Sequence, residues 1–465
     1  MNLRKKLIGD RAFYSMVFSV AIPIIVQSAI TNFVSLLDNI MVGQVGTEQM
    51  SGVAVANQLF FVFNLCIFGA LAGAGIFGAQ FYGSGNMEGV RNAFRYKMWI
   101  SVIILVAGFG VFLTAGDSLM SLFLNDTGDG SEAVRTLGHA HRYMMVMIWG
   151  LIPFALSQCY GSTLRESGET KVPMIAGITA VFVNLIFNYI LIFGKFGLPA
   201  LGVVGAAVAT VISRYVECAI VMIWPHRNLD KAPYMKGVYR TLKIPGVLVK
   251  QIIIKGSPLM INEVLWSIGI STMTQCYSMR GLSVIAGLNI ASTITNMFNI
   301  VFMSIGNVVG IIVGQLLGAG KMEEAKDTDT KLIAFSVGSC LVICSVMAVT
   351  APLFPQMYNT NETVRDLATS FIRIASVTMP LHAFMHCCYF TLRTGGKTVI
   401  TFIFDSGFLW CLSIPLAFCL SRFTDMPIEP LYFLCQMIEI LKCIFGFVLV
   451  KKGVWLQNFV AEHNE

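Results

Sequence analysis

Apolar residues along this chain neither alternate nor recur every third or fourth position; they run on almost unbroken, interrupted at intervals by short polar stretches. A run of about 20 residues, at about 1.5 Å per residue, crosses a hydrocarbon layer about 30 Å thick, so each run reads as a membrane-spanning helix. Twelve such runs are recognised, at 13–40, 51–77, 96–115, 143–159, 172–193 and 203–224, and again at 252–277, 282–310, 332–351, 367–389, 399–420 and 431–450. A transmembrane β-barrel needs segments of roughly ten residues alternating in polarity. The pattern therefore predicts an all-α integral membrane protein of twelve transmembrane helices. Arg4, Lys5, Lys6 and Arg11 precede a first run too long for the apolar core of a cleaved leader, so it is kept as the first span. Connections are mostly short and leave no room for a soluble domain.

The chain also repeats itself. Shifted by 235 positions, Gly78-Ala-Gln-Phe-Tyr-Gly-Ser-Gly-Asn-Met-Glu88 falls on Val313-Gly-Gln-Leu-Leu-Gly-Ala-Gly-Lys-Met-Glu323 without a gap. Nearly the same shift puts Pro23 on Pro258 and Asn64 on Asn299, and a slightly smaller one puts Thr163-Leu-Arg165 on Thr391-Leu-Arg393. Each shift covers six spans, an even number, so the halves run in the same direction through the membrane as parallel repeats. The expectation is two pseudo-symmetric six-helix lobes, 1–224 and 252–450, joined by a basic cytoplasmic linker at 225–251 and followed by a cytoplasmic tail at 451–465.

Composition supports this reading. The chain is 56% hydrophobic and 12% charged, too poor in polar residues to cover a water-soluble globule of 465 residues. Its net charge of +7 is unevenly spread. Arg91, Arg95, Lys97, Lys171, Lys236, Arg240 and Lys326 fall in one alternate set of connections, whereas Asp117, Asp126, Asp129, Glu132, Glu362, Asp425 and Glu429 fall in the other. Basic residues are retained on the cytoplasmic side, so both termini are expected in the cytoplasm of a multi-pass plasma-membrane protein. The positive charge then reports topology and excludes nucleic-acid binding. Most of the twelve cysteines lie inside spans as small apolar packers, and even the adjacent Cys387 and Cys388 lack flanking charge to activate a thiol. No disulfide framework, metal site or other cofactor is indicated.

Charged groups inside spans cost about 2.5–3.5 kcal/mol each on insertion scales and so require a reason. Asp38, deep in the first run, is suited to bind a proton or sodium ion; the alternative is a solvated helix end. Asn184 and Asn188, spaced i,i+4, share one face of the fifth span, and Thr210 in the sixth offers a hydroxyl. They either complete a cation site or join neighbouring helices. Glu263, beside Asn262 in the seventh span, is the candidate acid of the second half, with a structural tyrosine partner as the alternative. Glu439 and Lys442, at i,i+3, are expected to neutralise each other. Asp405 has no evident local partner and is placed near water. His382 and His386 are at i,i+4 but no third metal ligand is apparent.

These residues resemble the multidrug and toxic compound extrusion (MATE) family over nearly the whole chain. The resemblance is carried by Pro23 with Leu37-Asp38-Asn-Ile-Met-Val-Gly43, Gly78-Ala-Gln80 with Gly83, Leu164-Arg165-Glu-Ser-Gly168-Glu-Thr170-Lys-Val-Pro173, Asn184-Leu-Ile-Phe-Asn188 and Leu201-Gly-Val-Val-Gly-Ala-Ala207-Val-Ala-Thr210. It implies a transporter, not an enzyme: a monomeric antiporter in the lipid bilayer exporting small amphipathic, often cationic substrates against inward protons or sodium. Asp38, Asn184, Asn188 and Thr210 would form the cation site, and substrate would meet aromatic and methionine side chains, sought among Phe61, Tyr277, Met297, Phe298 and Met303. A lipid-linked oligosaccharide flippase of the same superfamily would need many bases at cavity depth, and a polytopic membrane enzyme a cluster of nucleophilic or titratable groups at one depth. Neither pattern is present in the sequence.

Overall fold

The computed structural model describes residues 7–122, 130–358 and 360–460, and every regular element among them is a helix. Arg4, Lys5, Lys6, Asp126 and Asp129, used above for orientation, lie outside the described residues. In chain order the long helical segments are α1 (Arg11–Gly43), α2 (Thr47–Gly83), α3 (Met87–Ser121), α4 (Ala133–Glu166), α5 (Lys171–Phe193) and α6 (Val203–Arg227). There follow α7 (Gly246–Ser278), α8 (Leu282–Gly318), α9 (Met322–Thr350), α10 (Glu362–Thr394), α11 (Thr398–Phe423) and α12 (Ile428–Lys451). Ten are long and apolar enough to cross a membrane. The other two, α7 and α10, are as long but carry Lys255, Asn262 and Glu263, or Arg373, His382, His386 and Arg393. Their polarity marks them as the helices that bring chemistry inside.

Where water would leave polar side chains outside, this protein leaves apolar ones: Val106, Phe182 and Val349 are all exposed. Such surface is stable only against lipid. The chain is a multi-pass membrane protein.

Local signals set several helix ends. Asn86 and Asn361 each accept a backbone N–H three residues on, from Gly89 and Val364 at 2.9 Å, capping α3 and α10. Gly194 ends α5 with φ of 66°, a left-handed conformation that glycine adopts at no steric cost.

Contacts within the chain define two compact units, one of residues 26–78 and 86–256 and another of 1–25, 79–85 and 257–465. In the first unit, α5 and α6 meet along small residues. A Cβ on Gly205 would sit 2.6 Å from the Leu191 carbonyl oxygen, so only glycine permits this approach. The connection after α6 is not a loose tether: Ala232, Tyr234, Met235 and Val238 are buried. Arg91 donates to the Tyr234 carbonyl at 3.2 Å and Arg95 to that of Val238 at 2.9 Å.

In the second unit the sequence repeat becomes a contact. A Cβ on Gly83 would lie 2.0 Å from the Gln315 carbonyl oxygen, and one on Gly318 would lie 1.9 Å from that of Gln80. Repeat-equivalent residues thus face each other reciprocally, which requires glycine at both places. Gln80 is fully buried; its amide donates to the Thr394 and Gln457 carbonyls at 3.3 and 3.2 Å, and its Oε1 accepts from the Phe459 N–H at 2.9 Å. Through these bonds the segment after α12 is fastened to the unit, with Trp455 buried beneath it.

Candidate functional site

In the first unit, α1, α5 and α6 carry Asp38, Asn184, Asn188 and Thr210 to one place. Asn184 and Asn188 are buried one helical turn apart, and their amides donate along a defined row. Asn188 Nδ2 donates to Asp38 Oδ1 by a short bond and to Asn184 Oδ1 at 3.1 Å. Asn184 Nδ2 donates in turn to Thr210 Oγ1 at 3.2 Å. The outcome is a row of oxygen atoms ending at a carboxylate, arranged by neutral amides that keep them in place. Tyr143 of α4 lies close enough for the Asp38 charge to act on its phenol, and its hydroxyl donates to Asn57 Oδ1 at 3.3 Å. Oxygen donors of this kind suit a proton or a hard monovalent cation.

The second unit holds a different polar cluster on α7, α10, α11 and α12. Two consecutive π-helical turns, Ile403–Gly407 and Leu409–Ser413, widen α11 where it meets α7. The widening releases the Ser406 N–H, which Asn262 Oδ1 accepts at 3.2 Å; the same oxygen accepts from Ser406 Oγ at 2.7 Å. Asn262 Nδ2 donates to Asp405 Oδ2 at 3.0 Å, and Lys442 donates to Asp405 Oδ1 at 2.8 Å.

One expectation is corrected here, and the Glu439–Lys442 pair, which is present, gains a closer partner. Asp405 is not a water-facing acid without a partner: it is ion-paired inside the unit. Lys442 is bonded to Asp405 and lies only within 3.8 Å of Glu439, so the adjacent-turn pair is the weaker contact. Spacing along one helix cannot reveal an acid arriving from another.

Glu263 is half-buried, bonded to Tyr389 and within the field of Arg393. The residues His382 and His386 are both half-buried. His382 Nδ1 lies 3.2 Å from the Thr378 carbonyl oxygen, and His386 packs among the rings of Phe302, Tyr389 and Phe390. Among the described residues no three His, Cys, Asp or Glu side chains group as metal ligands, and no cysteine is in a disulfide.

The expected substrate-contacting residues divide. Phe61, Met297 and Met303 are exposed at 45, 50 and 44%. Phe298 is half-buried, with its ring 6.1 Å from that of Phe354. Tyr277, 5% exposed, packs edge-on against Tyr432 inside a hydrophobic core, and so is a core residue and not a cavity wall.

Sequence reasoning also missed an internal ion pair. Lys97, assigned above to the cytoplasmic basic set, is fully buried; its amine contacts Glu166 at 2.6 and 2.7 Å and the hydroxyls of Ser162 and Thr163 at 3.1 Å. Gly75 and Gly78 leave room for the Glu166 carboxylate, since a Cβ on either would come within 2.8 Å of it. That glycine pair, three residues apart and facing a Glu, was the available signal.

The MatE family model matches residues 23–190 and 258–419. A probable multidrug resistance protein NorM of Thermotoga maritima is 25% identical over 414 residues, 87% of this chain and 85% of that protein. Among solved structures, MATE in a bent conformation superposes with a TM-score of 0.85 at 19% identity, over 97% of this chain and 96% of that one. A MOP-superfamily transporter of Pyrococcus furiosus gives 0.83 at 18% identity, over 98% of each chain.

Proposed function

The chain belongs to the MatE family, and from that premise we propose that it is a cation-coupled antiporter that exports amphipathic, often cationic organic compounds by alternating access. The coupling ion is a proton or sodium, and Asp38 is the residue that takes it up, with Asn188, Asn184 and Thr210 as its supporting row. The lobes 1–224 and 252–450 are the moving parts of this proposal, and both termini lie in the cytoplasm. Phe61, Met297, Phe298 and Met303 remain the proposed substrate contacts, because aromatic and methionine side chains that are not sealed in a core adapt to varied shapes and attract cations.

The observation that carries the reading is the hydrogen-bonded row from Thr210 to Asp38. An ion drives a conformational change only through a difference in its affinity for the two states. Reversing a population from 1:99 to 99:1 takes about 5.5 kcal/mol of such difference. Neutralising one intramembrane carboxylate is worth about 2.5–3.5 kcal/mol, a large part of that requirement. Substrate binding supplies the opposing preference.

Ethidium efflux from proteoliposomes under separately imposed proton and sodium gradients tests the proposal. Efflux driven by one of the gradients names the coupling ion. If neither gradient drives export of any cationic dye, the antiporter reading fails and a lipid flippase takes its place.

A further inference from the structure

A carboxylate that plays no part in either cluster is among the most deeply buried in the molecule. On α9 the inward face runs through Ala325, Thr328, Asp329, Leu332 and Ser336, spacings of a single helical stripe. Asp329 is 1% exposed. Its Oδ1 lies 2.6 Å from Thr391 Oγ1 of α10, and its Oδ2 is buried with no hydrogen-bond partner.

Counting protons decides its charge. Thr391 Oγ1 is also 2.9 Å from the carbonyl oxygen of Cys387, and a hydroxyl has a single proton to give. If Asp329 were an anion, Thr391 would face two acceptors with one proton, while Oδ2 held negative charge in an apolar surrounding with nothing to stabilise it. As a neutral acid Asp329 donates to Thr391, Thr391 donates to Cys387, and both short contacts contain a proton.

The surroundings agree. Among the described residues no lysine, arginine or histidine acts on Asp329. From α10 it is faced by the thiols of Cys387 and Cys388, and α8 carries no ionisable side chain. Arg393 of α10 is engaged with Tyr389 and lies over the Phe390 ring at 5.2 Å. On α9 itself Lys331 pairs with Asp327 and lies over the Phe13 ring of α1, while Lys326 is exposed. The repeat sharpens the contrast: Thr163, which the sequence repeat equates with Thr391, contacts the buried ammonium of Lys97 at 3.1 Å. One unit places a cation beside this threonine, the other an acid.

We propose that Asp329 is a second proton-binding site of the transport cycle, held as the neutral acid in this conformation by Thr391 and the Cys387 carbonyl, and separate from Asp38. Its place in a cycle rests on the transport function proposed above; its protonation does not. Release gives the carboxylate and one proton to water, and Thr391 keeps its own.

Infrared difference spectra of the purified full-length protein in lipid nanodiscs at neutral pH test the site. In an Asp38→Asn background, the carbonyl stretch of a protonated carboxylic acid is expected, and adding Asp329→Asn is expected to remove it. Thr391→Val is expected to move that band to higher frequency without removing it, which serves if the asparagine variant does not fold. A spectrum unchanged by Asp329→Asn, or by Thr391→Val where only that variant folds, overturns the site. Flux measurements in proteoliposomes test the cycle: the Asp329→Asn protein is expected to move one proton fewer per ethidium than wild type. An unchanged proton count overturns the role in transport, whatever the infrared result.

Discussion

Two acids inside this membrane protein, Asp38 in one unit and Asp405 in the other, are held in opposite ways. In one, Asp38 accepts from the Asn188 amide, which is linked through Asn184 to the Thr210 hydroxyl in a row of neutral groups. In the other, Asp405 is bonded to Lys442 at 2.8 Å and tied by Asn262 to a π-helical turn. A fixed ammonium satisfies a carboxylate permanently; a row of neutral oxygens leaves the charge to be balanced by an ion that comes and goes. On the proposed function, exchange belongs to Asp38 and architecture to Asp405.

Five substitutions test that contrast. Replacing Asp38 with Asn is expected to reduce gradient-driven dye efflux to the level of empty liposomes while the protein elutes as a folded species in size-exclusion chromatography. Lys442→Met strands Asp405 inside the unit and is expected to destabilise the protein by about 3–5 kcal/mol, read as a lower midpoint of thermal unfolding. Adding Asp405→Asn should restore most of that loss, because the pair disappears together; a double variant no more stable than Lys442→Met contradicts the pairing. Asn262→Ala removes the acceptor of the Ser406 N–H and is expected to cost about 1–3 kcal/mol, with transport retained in the fraction that stays folded. The smallest effect is expected from Thr210→Val, which removes the end of the Asp38 row. It should cost about 0.5–1.5 kcal/mol of stability and weaken cation dependence of efflux without abolishing it.

Much of this fold was legible in the chain because apolar runs of membrane-crossing length need no partner to be recognised. The reciprocal packing of Gln80 and Gly83 against Gln315 and Gly318 was foreshadowed by the repeat, since both copies kept the same residues at the same spacing. The Asp38 site was legible for a similar reason: polar residues in otherwise apolar spans stand out, and Asn184 and Asn188 share a face by spacing alone.

What stayed hidden depends on helices far apart in sequence. Asp405 and Lys442 lie 37 residues apart, and nothing in either span names the other. Asp329 was hidden by its setting, a polar stretch at the start of α9 that reads as a solvated helix end. Only the buried spacing of Ala325, Leu332 and Ser336 around it marks the inward face. The partner of Lys97 was hidden for a related reason: near a span end a lysine counts toward topology, and its ammonium is turned inward onto Glu166.

On the proposed function, coupling resides at Asp38 and not in the Asp405–Lys442 pair. Ethidium efflux under the effective ion gradient, measured side by side for Asp38→Asn and for the double variant Asp405→Asn with Lys442→Met, tests it most directly. The first is expected to lose gradient dependence and the second to keep it. Retained coupling in the Asp38 variant, or lost coupling in a folded double variant, would contradict it.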